Sequence, residues 1–589
     1  MRKEKFFLAT ALILVALTCR SISAQQPTAS PETTTEATSG EITGQVVNDR
    51  GEPMAGTTVF VRSIAAPNAG RSTAADIEGR FRITGLEPGL YTVTGFAPAY
   101  VFDQPDSDVG TRYYRLGDQA RIEMLKGAVI TGTVTNAAGE PVVGVNVRAV
   151  RVRDAKGQTV RSLQFGVVER PTDDRGIYRL YGLTAGVYVV CAGGLGTQSY
   201  QISPYAGDVP TYAPSSSRDA AVEFTMRGGE ETTADIRYRS DPGRMISGTV
   251  KTAVNTNGAS VVLTSVDGGF LPVASAFQAP GARGFELNGI GDGEYNLIAN
   301  EFGVNVAAVN TVPDVSISEV KRISIKGADI TGIELITRPA ASISGKIAME
   351  PSKAPECQGK RKPLLAEMLV DLQRHEKDAE TMPSYMRGMA GPTAPDAKGG
   401  FVFRNLIAGR YRFEPRFYAR YWYLQSISLT APASTATTAA AKTAASKFDS
   451  AANWTSLKSG DKITDLTITL AEGAASIRGR VPVAEGATIP SGAAVYLVPA
   501  EPDKAGDVLR YSMTTVAADG TFTLSNLPPG RYWSLLQNPV QAELATLMKL
   551  RSPESAEARA KLRRAAESQK ADVQLKPCET LADYQLSPK

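Results

Sequence analysis

Apolar and polar positions alternate with a period of two in short runs, the pattern of half-buried strands, and one such run occurs five times. Its first position is aromatic: Phe81, Tyr178, Phe285, Phe401 and Phe522. Two residues on stands Ile83, Leu180, Leu287, Phe403 or Leu524, and five on Leu86, Leu183, Ile290, Leu406 or Leu527. Between them, at plus four, every copy has Gly or Asn: Gly85, Gly182, Gly289, Asn405 and Asn526. These residues best tolerate positive φ, so the chain is expected to turn there. Gly follows at plus eight and Tyr at plus ten: Tyr91, Tyr188, Tyr295, Tyr411 and Tyr532. A core-facing Tyr opening a strand is expected to anchor its hydroxyl on nearby backbone. Asp76, Asp174, Asp396 and Asp519 precede four of the copies and are read as turn-forming carboxylates.

Each copy also has an opening strand with a fixed glycine, Gly44, Gly132, Gly248, Gly345 or Gly479. A closing strand precedes the next opening, at 121–125, 234–238, 330–336 and 466–470. Successive opening glycines lie 88, 116, 97 and 134 residues apart, the size of a seven-strand antiparallel sandwich with insertions. The expected fold is therefore all-β, a tandem array of five antiparallel β-sandwiches with a short C-terminal helical insertion. The expected sandwiches span 41–127, 128–241, 242–339, 340–473 and 474–589. They are joined by almost no linker, which favours a semi-rigid arrangement.

Three segments break the pattern. Residues 25–40 are rich in Thr, Ser, Pro and Glu and read as a disordered leader. Residues 431–447 form an Ala/Thr/Ser tract inside the fourth unit. Residues 541–570 read as helical, with Leu544, Leu547 and Leu550 on one face and Arg551, Arg559, Lys561, Arg563 and Arg564 giving a basic surface. This insertion is placed before a closing strand at 572–575. Ahead of all of these, Arg2, Lys3 and Lys5 precede an apolar run at 6–17 and small residues ending at Ala24. That is the form of a secretory signal over 1–24, too short in its apolar part to span a bilayer.

The combination I-x-G-x-V, then G-x-P, then D-x-x-G-x-F-x-I-x-G-L-x-P-G-x-Y resembles the carboxypeptidase regulatory-like domain. The first, second and fifth units carry it most fully. The resemblance implies a transthyretin-like sandwich, grouped with carbohydrate-binding-like folds, acting as an accessory or binding module in an exported protein. It carries over no active-site residues. A related adhesin repeat forms Lys–Asn cross-links beside a carboxylate; Glu414 stands at a comparable place, with Lys346 the lysine offered by the opening strand.

Composition narrows the chemistry. The formal charge of +4 falls mostly in 1–24, where four cations meet one Glu and leave +3. The rest is near +1, without the basic excess that phosphate binding needs. There is 1 histidine, His375, so a His–His metal site is excluded and a Ser–His–Asp triad disfavoured. Asp103, Asp106 and Asp108 offer oxygens but lack the Gly and distal Glu of a calcium loop. Gly193-Gly194-Leu195-Gly196 opens no helix and so is no phosphate cradle. Cys191 reads as a buried small hydrophobe, while Cys357 and Cys578 lie in Pro-flanked polar segments where pairing stays open.

The segment 411–423 interleaves seven aromatic residues with Arg412, Arg416 and Arg420, just after Arg410. The consecutive Tyr421-Trp422-Tyr423 places rings on both faces of a strand, so at least one is expected to point outward. Tyr421, Trp422, Tyr423, Tyr418 and Arg420 are the candidate binding residues; no catalytic, metal or cofactor residue is nominated. The reading is a non-catalytic exported protein, monomeric, in the periplasm, at the cell surface or outside the cell. Its expected partner is an extracellular glycan or a surface protein, with no nucleic acid and no transmembrane span. The alternatives are a glycan-active enzyme using carboxylates alone and a passive spacer.

Overall fold

The structure is a computed structural model. It describes residues 40–66, 69–102, 112–160, 167–194, 203–252, 256–266, 272–282, 284–303, 315–375, 377–378, 391–430, 447–482, 488–538, 544, 546–569 and 571–586. The expected signal and leader, the tract at 431–446, and Asp103, Asp106 and Asp108 lie outside the described residues. The chain is all-β, five sandwiches in tandem, with two helices, Leu547–Arg551 and Ala556–Gln569, inserted in the fifth.

The first repeat shows the common plan. One sheet has the order Arg80–Leu86, Gly40–Asn48, Gln119–Lys126, Tyr100–Phe102, and the other Gly70–Ala74, Thr58–Ser63, Tyr91–Phe96. Pairing is antiparallel except between opening and closing strands, which run parallel in every repeat, as Thr43↔Gln119 does here. The fixed glycine sits at that parallel pair. A Cβ on Gly479 would stand 2.6 Å from the carbonyl oxygen of Tyr584 on the closing strand. It would also stand 2.5 Å from the ring of Phe522, the repeat's own signature aromatic. Gly44, Gly132 and Gly345 are crowded in the same two ways and Gly248 by the closing strand, so only a residue without Cβ lets that strand pack so closely.

Signature side chains fill five separate cores. Phe81, Ile83, Leu86 and Tyr91 pack in the first, and the equivalent four residues of each later repeat pack in its own. Truncating one such Leu to Ala costs about 2–5 kcal/mol by lost transfer energy and cavity. Each plus-ten tyrosine donates its hydroxyl to the carbonyl four residues earlier: Tyr91 to Glu87 at 2.6 Å, Tyr188 to Thr184 at 2.7 Å, Tyr295 to Gly291 at 2.8 Å. Tyr411 does so to Ile407 and Tyr532 to Pro528. Each plus-four residue has positive φ, from 57° at Asn526 to 75° at Gly182. The turn carboxylates behave as read, with one correction. In the second repeat Asp173, not Asp174, accepts the backbone amides of Arg175 and Ile177, standing five residues before the aromatic as Asp76 and Asp396 do, whereas Asp519 stands three before Phe522 and accepts from Thr521.

Two further details depart from the sequence reading. In the third repeat strand Val315–Ser318 pairs with both Gly293–Gly303 and Ile330–Pro339, fusing the two sheets into one of 8 strands. At that seam Thr337 donates to the fully buried carboxyl of Glu301, whose pKa burial raises. In the fifth repeat the parallel closing strand is Thr580–Gln585, whereas Asp572–Leu575 pairs antiparallel with Gly530–Gln537 in the other sheet. The helices cover the outer face of that second sheet. Leu544, Leu550, Leu562 and Ala566 pack on Tyr496, Val498, Trp533 and Leu535. Three of the arginines expected to form a basic surface turn inward to cap carbonyls: Arg551 those of Tyr511 and Leu509, Arg559 that of Leu550, Arg563 those of Pro499 and Ala500.

Candidate binding site

The aromatic segment 411–423 crosses from one sheet of the fourth repeat to the other, and that crossing decides where its rings go. Strand Gly409–Phe417 alternates, sending Tyr411 and Phe413 into the core and Arg410, Arg412, Glu414 and Arg416 outward. The chain then passes to strand Trp422–Thr430, where Trp422 pairs with Glu472 in the opposite sheet. Trp422 faces inward there and is 1% exposed, so the expectation that it offers a surface platform is corrected. Its indole Nε1 is buried without a hydrogen-bond partner. Tyr421 and Tyr423 are half-buried; the Lys360 ammonium stands 4.8 Å over the Tyr421 ring, and burial raises the Tyr423 pKa. Tyr418, 40% exposed, and Arg420 remain at the surface.

The outward face of Gly409–Phe417 is covered at its two ends by different repeats. At one end Leu369, on the neighbouring strand, is buried against Leu90 and Tyr113 of the first repeat. Arg416 lies 5.9 Å over the Tyr113 ring, and Arg115 lies 5.3 Å over Tyr418. At the other end Arg412 donates to the carbonyl of Arg551 at 3.1 Å, in the inserted helical region of the fifth repeat. The Trp454 indole donates to Glu554 at 2.6 Å and His375 Nε2 approaches the same carboxylate at 3.3 Å. A disulfide joins Cys357 to Cys578, 221 residues apart, and so ties the fourth repeat to the fifth.

Between these two covers lies a cleft of about 480 Å³, within the usual range for small-ligand sites. Glu414 stands in it, directly across the ladder from Asp371. Asp371 is held by Arg416 at 2.8 Å, but Glu414 accepts no hydrogen bond from the described residues. Burial raises the Glu414 pKa against the pull of Arg416. Burial likewise lowers the Arg551 guanidinium to about 10, with Glu414 opposing the shift. The fifth repeat supplies a wall of small hydroxyls, Ser512 and Thr514 from one strand and Thr523 and Ser525 from another, with Met513 and Met548 also in the lining. The cleft therefore presents a bare carboxylate, guanidiniums, hydroxyls and the exposed ring of Tyr418, groups suited to a hydroxyl-bearing ligand.

Of the five nominated residues, Tyr418 alone lines this cleft. The sequence reading missed Arg551 and the hydroxyl wall, for which the signal was the pair of insertions in the fourth and fifth units. Lys346 is exposed on the opposite sheet from Glu414, so the two are not brought together. His375 accepts from Arg410 through Nδ1 at 2.9 Å, and Ser552 donates to Glu554 rather than to the imidazole. Among the described residues no group of three or more His, Cys, Asp or Glu could hold a metal ion, and no helix is long and apolar enough to cross a membrane.

Residues 41–105 match the carboxypeptidase regulatory-like domain. The match covers the first repeat, where the opening glycine, the turn and the signature run are all present. No curated protein matches the sequence. Among solved structures, the Bacillus anthracis TIE protein is similar at 15% identity over 51% of each chain, with a TM-score of 0.14. The present chain thus spans about half the length of that protein. The minor pilin GBS52 of Streptococcus agalactiae is similar at 14% identity over 34% of this chain and 96% of the pilin, TM-score 0.19. Two B repeat units of the collagen-binding protein of Staphylococcus aureus are similar at 11% identity over 74% of this chain and 100% of theirs, TM-score 0.13.

Proposed function

We propose that the chain is an exported, non-catalytic binding or adhesion scaffold that holds an extracellular glycan or surface protein in the cleft between its fourth and fifth repeats. The observation that supports this reading most is Glu414: a carboxylate in a formed cleft, without a hydrogen-bond donor, beside an exposed tyrosine and a row of hydroxyls. A half-buried carboxylate among the guanidiniums of Arg412, Arg416 and Arg551, with no hydrogen bond from them, is placed to accept a ligand hydroxyl. The regulatory-like character of the first repeat and the signal-like start of the sequence agree with an accessory role outside the cytoplasm. Glycan-array and pull-down binding of the purified chain test the reading, with Tyr418→Ala and Glu414→Gln expected to weaken capture about tenfold each. A ligand retained undiminished by both variants would remove the cleft as its site, and no ligand at high micromolar concentration would leave a passive scaffold.

A second reading has one specific observation in its favour. Glu414, with raised pKa, and Asp371, ion-paired with Arg416, face each other across adjacent strands, the acid-and-carboxylate combination used on glycosidic bonds. Release of reducing sugar from a polysaccharide panel, abolished by Glu414→Gln, would replace the binding reading with a glycan-active enzyme.

A further inference from the structure

We propose that the outer face of the smaller sheet in the first repeat, continued by the groove at its junction with the second, is a docking track for a linear acidic polysaccharide. This rests on the reading of the chain as a binding protein but uses a surface far in sequence from the cleft. Strand Thr58–Ser63 directs Val59 and Val61 into the core and Thr58, Phe60 and Arg62 outward. Their ladder partners share that face: Phe96, Thr94 and Thr92 on one side, Ala74, Ser72 and Gly70 on the other. Along the strand the face therefore reads Arg62, Phe60, then Thr58 beside Phe96, over about 13 Å. Phe60 is 47% exposed and Phe96 62%. They are diagonal neighbours, close enough to present one continuous aromatic strip.

Beyond Phe96 the chain turns through residues 97–100 and becomes one wall of a groove of about 360 Å³; Val167, Val168, Glu169, Arg170 and Tyr181 of the second repeat form the other, with Glu169 buried and the Arg170 guanidinium the more exposed charge. Tyr181 is 49% exposed, and Arg170 stands 5.2 Å over its ring. The two walls are fixed by close backbone approach. The amide of Gly127 donates to Ala99 at 2.9 Å, and a Cβ on Gly127 would fall 2.8 Å from the Cα of Gly182. Six aromatic side chains are strongly exposed among the described residues, and three of them, Phe60, Phe96 and Tyr181, lie on this one track. Such a concentration marks an interaction surface rather than scattered apolar residues.

Charge selects the occupant. Arg62 at one end and Arg170 at the other have no carboxylate partner among the described residues; Arg170 donates only to the Glu169 carbonyl, at 2.7 Å. An anionic polymer pairs with both guanidiniums in their preferred fork geometry, whereas a neutral one leaves both without counter-charge. The rings offer flat apolar faces to the C–H faces of sugar rings, and Thr58, Thr94 and Ser72 stand between them to exchange hydrogen bonds with ring hydroxyls.

The test is titration calorimetry of the full chain with polygalacturonate, with its methyl ester as the neutral counterpart and polyglutamate as an acidic peptide. Polygalacturonate is expected to bind, and Phe60→Ala and Phe96→Ala each to weaken it about tenfold. Arg170→Gln is expected to erase the preference over the methyl ester. Phe277→Ala, which removes an exposed ring of the third repeat, is expected to change nothing. Equal affinity for polyglutamate with Phe96→Ala neutral would replace the polysaccharide by an acidic peptide or by charge alone, and overturn the proposal. Absence of binding to all three polymers would overturn it too. The cleft is tested separately by Tyr418→Ala and Glu414→Gln, so a ligand lost in those variants but kept in Phe96→Ala sinks this track and spares the binding reading.

Discussion

At the first two junctions between repeats the chain uses glycine, and at the last two it uses asparagine, in the same position of the repeated motif. Gly182 of the second repeat lies against Gly127 at the end of the first, and Gly289 of the third lies against Gly207 and Asp208 of the second. In the fourth repeat the equivalent Asn405 accepts the amide of Val315 in the third at 3.0 Å. In the fifth, Asn526 donates to the carbonyls of Ala419 and Trp422 in the fourth, both at 2.7 Å. The plus-four turn is therefore also the point where each repeat meets the one before it. Glycine makes that contact steric, backbone on backbone. Asparagine accepts about 1–2 kcal/mol of left-handed strain and offsets it with directed hydrogen bonds. The 4–5 asparagine junction is also where the cleft, the inserted helices and the disulfide are found.

The largest effect is expected from breaking the covalent tie that accompanies the 4–5 junction. Cys357→Ser with Cys578→Ser is expected to lower the stability of the last two repeats by about 2–5 kcal/mol, read as a calorimetric transition that separates from the rest. An unchanged unfolding profile would mean that the noncovalent contacts alone hold the pair. Next comes a matched pair of glycine substitutions. Gly289→Ala places a Cβ 2.6 Å from the Gly207 carbonyl at φ +72°, whereas Gly182→Ala meets nothing within 4 Å at φ +75°. The first is expected to cost about 2–4 kcal/mol and the second about 1–2 kcal/mol, so their difference isolates the junction contact from the backbone strain. Equal costs would show that the junction itself contributes nothing. Asn526→Gly relieves the strain but loses two hydrogen bonds; a net loss of about 1 kcal/mol is expected in denaturant titration, and a gain would reverse the account of the asparagine junction.

How much of this was legible in sequence follows from what each residue answers to. The motif was legible because Phe81, Ile83, Leu86 and Tyr91 serve their own core, so their spacing is local and repeats without gaps. The role of plus four was half legible. Positive φ is a property of the turn, but the neighbour it touches belongs to another repeat, and no local pattern encodes that. Trp422 was misread because the change of sheet between Phe417 and Trp422 resets the in–out alternation. Val573 and Leu575 alternate cleanly, which makes 572–575 read as the closing strand of the fifth repeat. In Thr580–Gln585 a positive φ at Asp583 breaks the alternation and conceals the strand. Arg551 and Arg559 looked like surface charge because only the folded helices bring free carbonyls within their reach.

The smallest expected effect is the dependence on pH that the 4–5 junction adds. Burial alone would raise the Glu554 pKa, but the Ser552 hydroxyl, the Trp454 indole and the nearby His375 outweigh it and hold the carboxyl below its ordinary value. Asp378, bound by Arg410 at 3.0 Å, is depressed too, chiefly by that hydrogen bond. A carboxylate depressed on folding stabilises the fold above its unfolded value, here 4.5 for Glu554 and 3.8 for Asp378, and loses that contribution as pH falls through the folded value. Arg410 and Arg412 face the same cluster and stay charged throughout, so the loss comes from the carboxylates. Acidification below about pH 4 is therefore expected to lower the unfolding temperature of the fourth and fifth repeats, with the slope reduced in Glu554→Gln. Asp173 and Glu231 of the second repeat and Glu294 of the third are depressed too, at solvent-exposed positions, so the contrast is the part of the slope that Glu554→Gln removes from the fourth and fifth repeats and leaves unchanged in the first three. A uniform response of all five repeats to acid would mean that net charge, and not the junction, sets the pH dependence.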